Sequence, residues 1–204
     1  MEEEKEHEVD EIVERAVSHG RSVKDVLIEM KNTSELMVDL AYSSLLTNSR
    51  EIAEEVQRLE KVMDDLQYEI EALLLLSARN VEEAADLAGI LHVALAAENI
   101  ADSAEDIIDV VIRGIGDHPI YQTMISESEE QIARIVVGPN SELVNKSLGE
   151  LRLSKRIGAY IRAIRRGNRW IYHPDKKTVI KEGDILIVKG DKPAIESLRA
   201  MCSS

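Results

Sequence analysis

No proline occurs between Ser22 and Val111, and this absence constrains the fold more than any other feature of the chain. Proline interrupts a helix because it lacks an amide hydrogen and clashes with the preceding turn. Within the proline-free stretch, apolar residues recur in alternating steps of four and three positions. The clearest series is Ile52, Val56, Leu59, Met63, Leu66, Ile70 and Leu73. Such a stripe predicts a long helix that packs against other helices.

Two polar breaks divide this stretch into three predicted helices. Thr47–Ser49 and Arg79–Asn80 interrupt the apolar stepping, and their serine and asparagine side chains can cap the helix that follows. The predicted helices cover residues 22–47, 49–79 and 81–113. Short connections favour an antiparallel, up-down-up arrangement of consecutive helices. An acidic, amphipathic segment over residues 5–19 precedes them and ends at Gly20.

The charge of the chain is divided unevenly between its two halves. The 204 residues have a net charge of −14, but residues 1–130 carry 32 acidic and 10 basic side chains, whereas residues 131–204 carry 7 acidic and 15 basic ones. We therefore expect two modules with different partners. Because the chain as a whole is acidic and phosphate backbones repel it, we expect no direct binding of nucleic acid.

The N-terminal sequence lacks the features of a targeting segment. It begins Met-Glu-Glu-Glu, whereas a signal peptide needs positive charge followed by an apolar run. The longest largely apolar stretch, residues 87–101, is too short to span a bilayer. A single cysteine, Cys202, excludes an internal disulfide. We expect a cytoplasmic protein without a transmembrane segment.

Two of the predicted helices carry carboxylates at the same spacing. Glu35 and Asp39 lie four residues apart on the first helix, and Glu98 and Asp102 do so on the third. Residues at this spacing share one helix face, so two facing pairs can clamp a cation. Asp106 extends the second pair by another turn. Ligand sets made only of oxygen suit magnesium, calcium, manganese or iron before zinc.

The spacing alone is weak evidence, because roughly seven acidic pairs at this separation arise by chance in so acidic a chain. The surroundings say more. Glu98 is the only charge between residues 87 and 101, and with Asp102 it continues an apolar stripe that runs through Leu91 and Leu95. Carboxylates in such a stripe are costly unless they are paired or bind a metal. Two interpretations stay open: a metal site, or a solvated flank of the bundle.

The third helix also carries a family motif, Ala97-Glu-Asn-Ile-Ala-Asp-Ser-Ala-Glu-Asp-Ile107. Together with the Glu-x-x-x-Asp pair on the first helix, it resembles the PhoU domain over about residues 20–115. The motif departs from that family at Ser103, where a histidine is common. The resemblance implies a three-helix antiparallel bundle with a metal cluster, iron or zinc in the family. The ligands so implied are Glu35, Asp39, Glu98 and Asp102.

Beyond Gly114-Ile-Gly-Asp-His-Pro119 the helical period ends and β-type patterns begin. A linker or short helix reaches about Glu130. Strands are predicted over residues 132–137, 160–165, 169–173 and 185–188, with a hairpin turn at Gly167-Asn168. One short helix is predicted after Ser147, and Pro193 can start a last one over residues 194–201. The order β-α-β-β-β-α describes a small α+β module.

Three motifs of this second half resemble the C-terminal domain of TrkA and of the RCK regulators of potassium channels. They are Asn145-Lys-Ser-Leu-Gly-Glu-Leu151, Gly158-Ala-Tyr-Ile-Arg-Ala-Ile-Arg165, and Ile180-Lys-Glu-Gly-Asp-Ile-Leu-Ile-Val188 followed by Gly190. The resemblance covers about residues 130–202. It implies a cytosolic regulatory domain that pairs across a dimer interface and binds a small effector there, in some relatives a cyclic dinucleotide.

A cluster of cationic side chains surrounds the predicted hairpin, and guanidinium groups suit phosphate oxygens. In effector-binding relatives an arginine of this hairpin and a His-Pro pair contact the ligand. The residues predicted to bind an anionic effector are Arg162, Arg165, Arg166, His173 and Pro174. Alternatively, the charges are solvated or form a docking face for the acidic bundle. Trp170 and Tyr172 are predicted to be core or dimer contacts.

The sequence therefore predicts a multi-domain α and α+β protein. Its parts are an acidic segment over residues 1–20, a PhoU-like bundle over 21–116, a linker over 117–130 and a TrkA-C domain over 131–204. We expect no enzyme, because nucleophile-elbow, P-loop and dinucleotide-binding motifs are absent from the sequence. A cytosolic regulator of potassium-type cation transport is the leading prediction. The alternatives are a PhoU-like regulator of phosphate uptake and, third, a metal-dependent phosphoesterase.

The expected partners follow from the same resemblances. They are a second copy of the chain, a membrane transporter or channel subunit, a small anionic effector such as a nucleotide or cyclic dinucleotide, and a metal ion among iron, zinc, magnesium and manganese. Only one PhoU-like bundle is visible in the sequence, so a second bundle would have to come from a dimer partner.

Overall fold

The computed structural model describes residues 20–127, 129–167 and 169–203. The acidic segment predicted over residues 5–19 lies outside these ranges, as does Asn168 of the predicted hairpin turn. Three long helices come first: α1 (Val23–Thr47), α2 (Arg50–Ser77) and α3 (Val81–Ile112). They confirm the three predicted helices, with ends that agree within two residues.

The break before α3 has the local chemistry that the sequence predicts, and the break after α1 adds a left-handed turn. Asn80 caps α3, because its Oδ1 atom accepts a hydrogen bond from the amide of Glu83 at 2.8 Å. Asn48 adopts a left-handed backbone conformation with φ of 45°, which ends α1 sharply. Near the start of α2, the guanidinium of Arg50 lies 3.5 Å from the carbonyl oxygen of Ile112 at the end of α3. Helices α2 and α3 therefore run antiparallel.

The chain forms two compact units whose boundary crosses the helices. The helical unit comprises the described part of residues 1–38 together with residues 54–106. The mixed unit comprises residues 39–53 and the described part of 107–204, so it includes the connection between α1 and α2. This division follows compactness rather than sequence pattern, and the predicted limits of 21–116 and 131–204 stay a prediction.

The core of the helical unit is aliphatic, as the absence of phenylalanine requires. Helix α2 buries the predicted apolar series from Val56 to Ile70. Helix α3 contributes small residues instead. The positions of α3 that are buried within the helical unit are Ala94, Ala97, Ala101 and Ala104. Glu98 and Asp102 each follow one of these alanines, so they flank the stripe instead of continuing it: Glu98 is half-buried and Asp102 is exposed.

The end of α2 and the first half of α3 carry exposed apolar side chains. Val81 is 82% exposed, and Leu75 and Leu76 are 80% and 67% exposed. By length and composition alone, α3 is apolar enough to cross a membrane. It contains an apolar window of 18 residues with at most two charged side chains, which is longer than the stretch 87–101 singled out in the sequence. Core helices of soluble proteins can have the same length and apolar composition, so one such helix is weak evidence for a membrane span.

The mixed unit is built on a four-stranded antiparallel sheet. Its strands are β1 (Gln131–Val136), β2 (Tyr160–Arg166), β3 (Arg169–Tyr172) and β4 (Ile185–Gly190), in the order β1-β4-β2-β3. The helices are α4 (Pro119–Ser126), α5 (Leu148–Leu151), α6 (Leu153–Arg156) and α7 (Lys192–Ser203). This architecture confirms the predicted small sheet domain. The sequence predicted one short helix after Ser147, whereas the structure has two, which meet at Arg152 in a left-handed conformation.

The two faces of the sheet differ in composition. On one face Ile164, Leu186 and Val188 belong to a core that also contains Leu198 of α7. On the other face Ala163 pairs with Ile187, and Arg165 pairs with Trp170 across the β2–β3 hairpin. Because successive side chains alternate between the faces, Arg134, Arg165 and Lys189 lie on the second face, which we call the basic face.

The motif at residues 145–151 owes its composition to a capping box and a close backbone approach. The hydroxyl of Ser147 accepts from the amide of Glu150, whose carboxylate in turn accepts from the amide of Ser147 at 2.8 Å. Gly149 donates its amide to the carbonyl of Lys176 at 2.8 Å, and a Cβ atom there would lie 2.8 Å from that same oxygen. Glycine is therefore required at this position.

The single cysteine gives a chemical test of the domain core. Cys202 on α7 is 1% exposed, and burial raises the pKa of its thiol to about 11. At pH 8 about one thiol in a thousand is then ionised, and the thiolate is the reactive form. We expect the native protein to resist an aromatic disulfide reagent at pH 8. Reaction should begin only at the denaturant concentration where Trp170 fluorescence changes, and rapid labelling of the native protein would contradict the buried position.

Candidate metal centre and anion-binding hairpin

Three carboxylates converge between α2 and α3 in the helical unit. One oxygen from each of Glu60, Glu98 and Asp102 can be chosen so that all lie within 4.8 Å of one another. Glu98 and Asp102 are one turn apart on α3, and Glu60 faces them from α2. The alanine stripe of α3 has no bulky side chains, which favours the close approach of the two helices that brings these groups together.

The electrostatics of this acidic cluster disfavour three negative charges. Burial, followed by the charge of Asp102 and then of Asp64, raises the pKa of Glu60 to about 7. Burial and the neighbouring Asp102 also raise the pKa of Glu98. One oxygen of Glu60, Oε2, is buried without a hydrogen-bond partner among the described residues. A hard cation would neutralise the repulsion and give that oxygen a partner, so the residues present fit a metal ion.

The structure brings together only part of the predicted ligand set. Glu35 is exposed and its carboxylate lies 2.8 Å from the ammonium of Lys31. Asp106 is exposed and is not a member of the cluster. Asp39 belongs to the mixed unit, where it is paired with Arg162. Ser103, at the position where the family commonly has histidine, donates its hydroxyl to the carbonyl of Asn99 at 2.7 Å.

Sequence reasoning missed Glu60, although the signal was present. Glu60 and Asp64 repeat the Glu-x-x-x-Asp spacing on the second helix. The structure shows that the second helix supplies the third carboxylate.

The hairpin of β2 and β3 presents the second candidate site, and its arginines have different surroundings. Arg166 forms a two-pronged ion pair with Asp184, from Nε to Oδ1 at 2.8 Å and from Nη2 to Oδ2 at 2.7 Å. Asp184 is fully buried, and the hydrogen bonds to it raise the pKa of Arg166. Arg166 also donates to the carbonyl of Val179 at 2.8 Å. These contacts make Arg166 a structural residue.

Arg162 and Arg165 have carboxylate partners from the α1–α2 connection. The Nε atom of Arg162 donates to Oδ2 of Asp39 at 2.6 Å, and Nη1 of Arg165 donates to Oε2 of Glu51 at 2.7 Å. Lys189 of β4 adds a second cation 3.9 Å from Oδ1 of Asp39. Within the mixed unit, these cations of the sheet therefore contact acidic side chains of the α1–α2 connection.

The His-Pro pair lies directly beyond this hairpin. His173 is exposed, has a left-handed backbone with φ of 45°, and donates its amide to the carbonyl of Arg162 at 3.2 Å. Pro174 is half-buried. Trp170 and Tyr172 stack with ring centroids 6.4 Å apart on the edge strand β3. Arg162, Arg165 and His173 are thus close in the fold, whereas the side chain of Arg166 is paired with the buried Asp184.

The fold and these sites define a class: a bundle of long helices with an acidic cluster, followed by a small antiparallel sheet domain with a basic hairpin. Comparison with protein families assigns each part. Residues 27–111 match the PhoU domain and residues 132–203 match the TrkA-C domain. The chain therefore carries a PhoU domain followed by a TrkA-C domain, which confirms both resemblances.

Related proteins include one channel and one transporter. Potassium channel protein 1 of Methanocaldococcus jannaschii is 34% identical over 80 residues, which are 39% of this chain and 24% of that protein. An uncharacterized transporter of Synechocystis sp. is 33% identical over 75 residues, which are 37% of this chain and 12% of that protein. The matches thus span a quarter or less of these relatives.

Similar solved structures contain RCK domains. The RCK_C domain dimer of S. agalactiae BusR in complex with c-di-AMP is 30% identical, with a TM-score of 0.34, and the match covers 35% of this chain and 95% of that one. The GsuK RCK domain is 20% identical, with a TM-score of 0.33, and the match covers 55% of this chain and 24% of that one.

Proposed function

We propose that this chain is a regulatory module of potassium-type cation transport. Its TrkA-C domain would sense a small anionic effector, and its PhoU domain would bind a metal ion. The single observation that carries the regulatory proposal is the TrkA-C match over residues 132–203, supported by relatives that are a potassium channel protein and a transporter. The protein would act in the cytoplasm on a membrane channel or transporter subunit.

The chemistry of the β2–β3 hairpin indicates which class of effector it would bind. Arg162 and Arg165 present guanidinium groups that already bind carboxylates, so they suit other anions of similar geometry. Phosphate groups match such planar donors as carboxylates do, which favours a nucleotide or cyclic dinucleotide. Strand β3, which carries Trp170 and Tyr172, is the last strand of the sheet that the described residues form, and an edge strand of this kind supports a homodimer.

The metal-binding part of the proposal rests on the acidic cluster. Glu60, Glu98 and Asp102 would hold a hard cation such as iron, magnesium or manganese, with zinc less favoured by an oxygen-only set. The bound cation would supply positive charge that links α2 to α3.

Isothermal titration calorimetry tests the effector proposal. We expect wild-type protein to bind at least one of three probes: cyclic di-AMP, ATP or pyrophosphate. Arg162→Ala and Arg165→Ala should each weaken that binding by about tenfold or more, because a charged hydrogen bond is lost. Lys177→Ala, which removes an exposed charge outside the hairpin strands, is the matched control and should bind like wild type. Equal binding by all variants would contradict a site on the hairpin.

The PhoU domain supports a second candidate, a regulator of phosphate uptake. Its discriminating test is the identity of the membrane partner. Crosslinking in native membranes, followed by mass spectrometry, should recover a cation channel or transporter if the first proposal is right. Recovery of phosphate-transporter subunits instead would favour the second.

A further inference from the structure

The two arginines proposed to bind an anion already contact anionic side chains of the same chain. Arg162 donates to Asp39 at 2.6 Å, and Arg165 donates to Glu51 at 2.7 Å. Asp39 lies near the end of α1 and Glu51 near the start of α2, so both come from the α1–α2 connection, residues 39–53. All four residues belong to the mixed unit.

We propose that the α1–α2 connection and the anionic effector compete for Arg162 and Arg165. In the docked state described here, the carboxylates of Asp39 and Glu51 stand where oxygens of the effector would bind. Effector binding then requires that residues 39–53 leave the basic face of the sheet. This inference rests on the proposed effector site and adds the way in which that site is coupled to the helices.

Because Asp39 is buried, its carboxylate cannot give up Arg162 and stay in place. The side chain of Asp39 is 6% exposed, and it forms ion pairs with Arg162 and, at the longer distance of 3.9 Å, with Lys189. If an effector took Arg162, the buried Asp39 would lose the shorter of these two ion pairs and keep the longer one to Lys189, at 3.9 Å. A buried carboxylate that loses its main partner is strongly unfavourable. Asp39 must therefore become hydrated when the effector binds, which means that its helix end separates from the sheet.

The contact with Glu51 is weaker. Glu51 has a side chain that is 52% exposed, so water replaces Arg165 at little cost. Ser43, one turn beyond Asp39 on α1, is completely buried, and its hydroxyl has no hydrogen-bond partner among the described residues. An unpaired buried hydroxyl lowers the stability of the docked state. These features favour a contact that can open.

The coupling has a reciprocal consequence. While the docked state predominates, a substitution that weakens docking strengthens anion binding by the same factor. Asp39→Asn removes the competing charge with almost no change in shape. We expect it to bind the effective probe about tenfold more tightly than wild type, a coupling of ordinary size. Glu51→Gln should strengthen binding only about threefold, because its ion pair is exposed.

Calorimetry with cyclic di-AMP, ATP and pyrophosphate measures these affinities in the full chain. Glu142→Gln is the matched control, since it removes one exposed acidic charge of the sheet domain outside this contact. It should bind within twofold of wild type. Hydrogen exchange of wild-type protein should in addition show faster exchange over residues 39–53 when the effective probe is bound.

The outcomes separate this inference from the function on which it rests. If wild type binds a probe and both variants bind it no more tightly, competition is wrong and the effector site stands. If neither wild type nor either variant binds any probe, both proposals are wrong. Should Asp39→Asn fail to fold, as judged by far-ultraviolet circular dichroism, the exposed Glu51→Gln variant decides the question with the exchange measurement.

Discussion

Replacing Arg166 with alanine should destabilise the TrkA-C domain by about 3 kcal/mol, because it leaves a buried carboxylate without its cation. Asp184 is fully buried, and Arg166 supplies two of the hydrogen bonds that hold it. The remaining bond to the Asp184 side chain comes from the backbone amide of Lys181 at 2.8 Å. The same guanidinium also holds the carbonyl of Val179, so the loop before β4 loses its contacts with Arg166 at both Val179 and Asp184.

The chain has one tryptophan, Trp170, and it lies in the affected sheet. Its fluorescence during urea denaturation therefore reports on the TrkA-C domain, whereas circular dichroism at 222 nm reports chiefly on the long helices. Arg169→Ala is a matched control, because Arg169 pairs with Arg166 across the hairpin but is exposed. We expect that control to change stability by less than about 0.5 kcal/mol.

A second substitution tests the physical cause. Adding Asp184→Asn to the Arg166→Ala variant removes the unpaired charge, so it should recover part of the lost stability. If Arg166→Ala and Arg169→Ala unfold at the same urea concentration, Arg166 has no structural role. It would then again be a candidate for the anion-binding site.

The long helices were predictable because their signals are local. Apolar stepping and polar breaks each act within a few residues, and the observed ends of α1, α2 and α3 follow them closely. The strands β2 and β3 were predictable for the same reason. The motif at Ser147 was identified as a family resemblance, and the structure adds its cause, a capping box beside a glycine that no side chain can replace.

The partners of the charged residues were not predictable, because they are distant in sequence. Asp39 and Arg162 are 123 residues apart, and Arg166 and Asp184 are 18 apart across a loop. Nothing in the sequence says which of four neighbouring arginines is structural. Asp39 illustrates the limit: its spacing from Glu35 and the family motif favoured a metal ligand, yet the guanidinium of Arg162 lies beside it. The alanine stripe of α3 likewise becomes informative only once α2 is placed against it.

Glu60 gives the second large expected effect, one with opposite signs in the presence and absence of metal. Without metal, Glu60→Gln should raise the unfolding temperature by about 2–4 °C, which corresponds to about 1 kcal/mol for a chain of this size. The reason is that burial and the charge of Asp102 raise the pKa of Glu60 to about 7, so its carboxylate form is disfavoured in the folded state. Glutamine keeps the shape and removes that charge.

With metal present, the same substitution should remove most of the stabilisation that the bound ion provides. If the cluster binds a cation, wild-type protein at a free metal concentration about 100 times the dissociation constant gains about 2.7 kcal/mol of stability. Glu60→Gln removes one of three ligands, so most of this gain should vanish. Chelator-treated protein is measured by differential scanning fluorimetry with manganese, magnesium, ferrous iron or zinc added separately, and elemental analysis of the untreated protein identifies the metal that copurifies.

Asp86→Asn supplies the control, since it removes an exposed acidic charge of α3 outside the cluster and leaves Glu98 and Asp102 intact. It should leave both the metal-free temperature and the metal-dependent shift close to wild type. The metal-free and metal-dependent measurements on Glu60→Gln test different claims. A rise in metal-free stability with no metal response in any protein would establish like-charge crowding and reject a metal site. A metal response that Glu60→Gln leaves unchanged would place the ion away from this cluster.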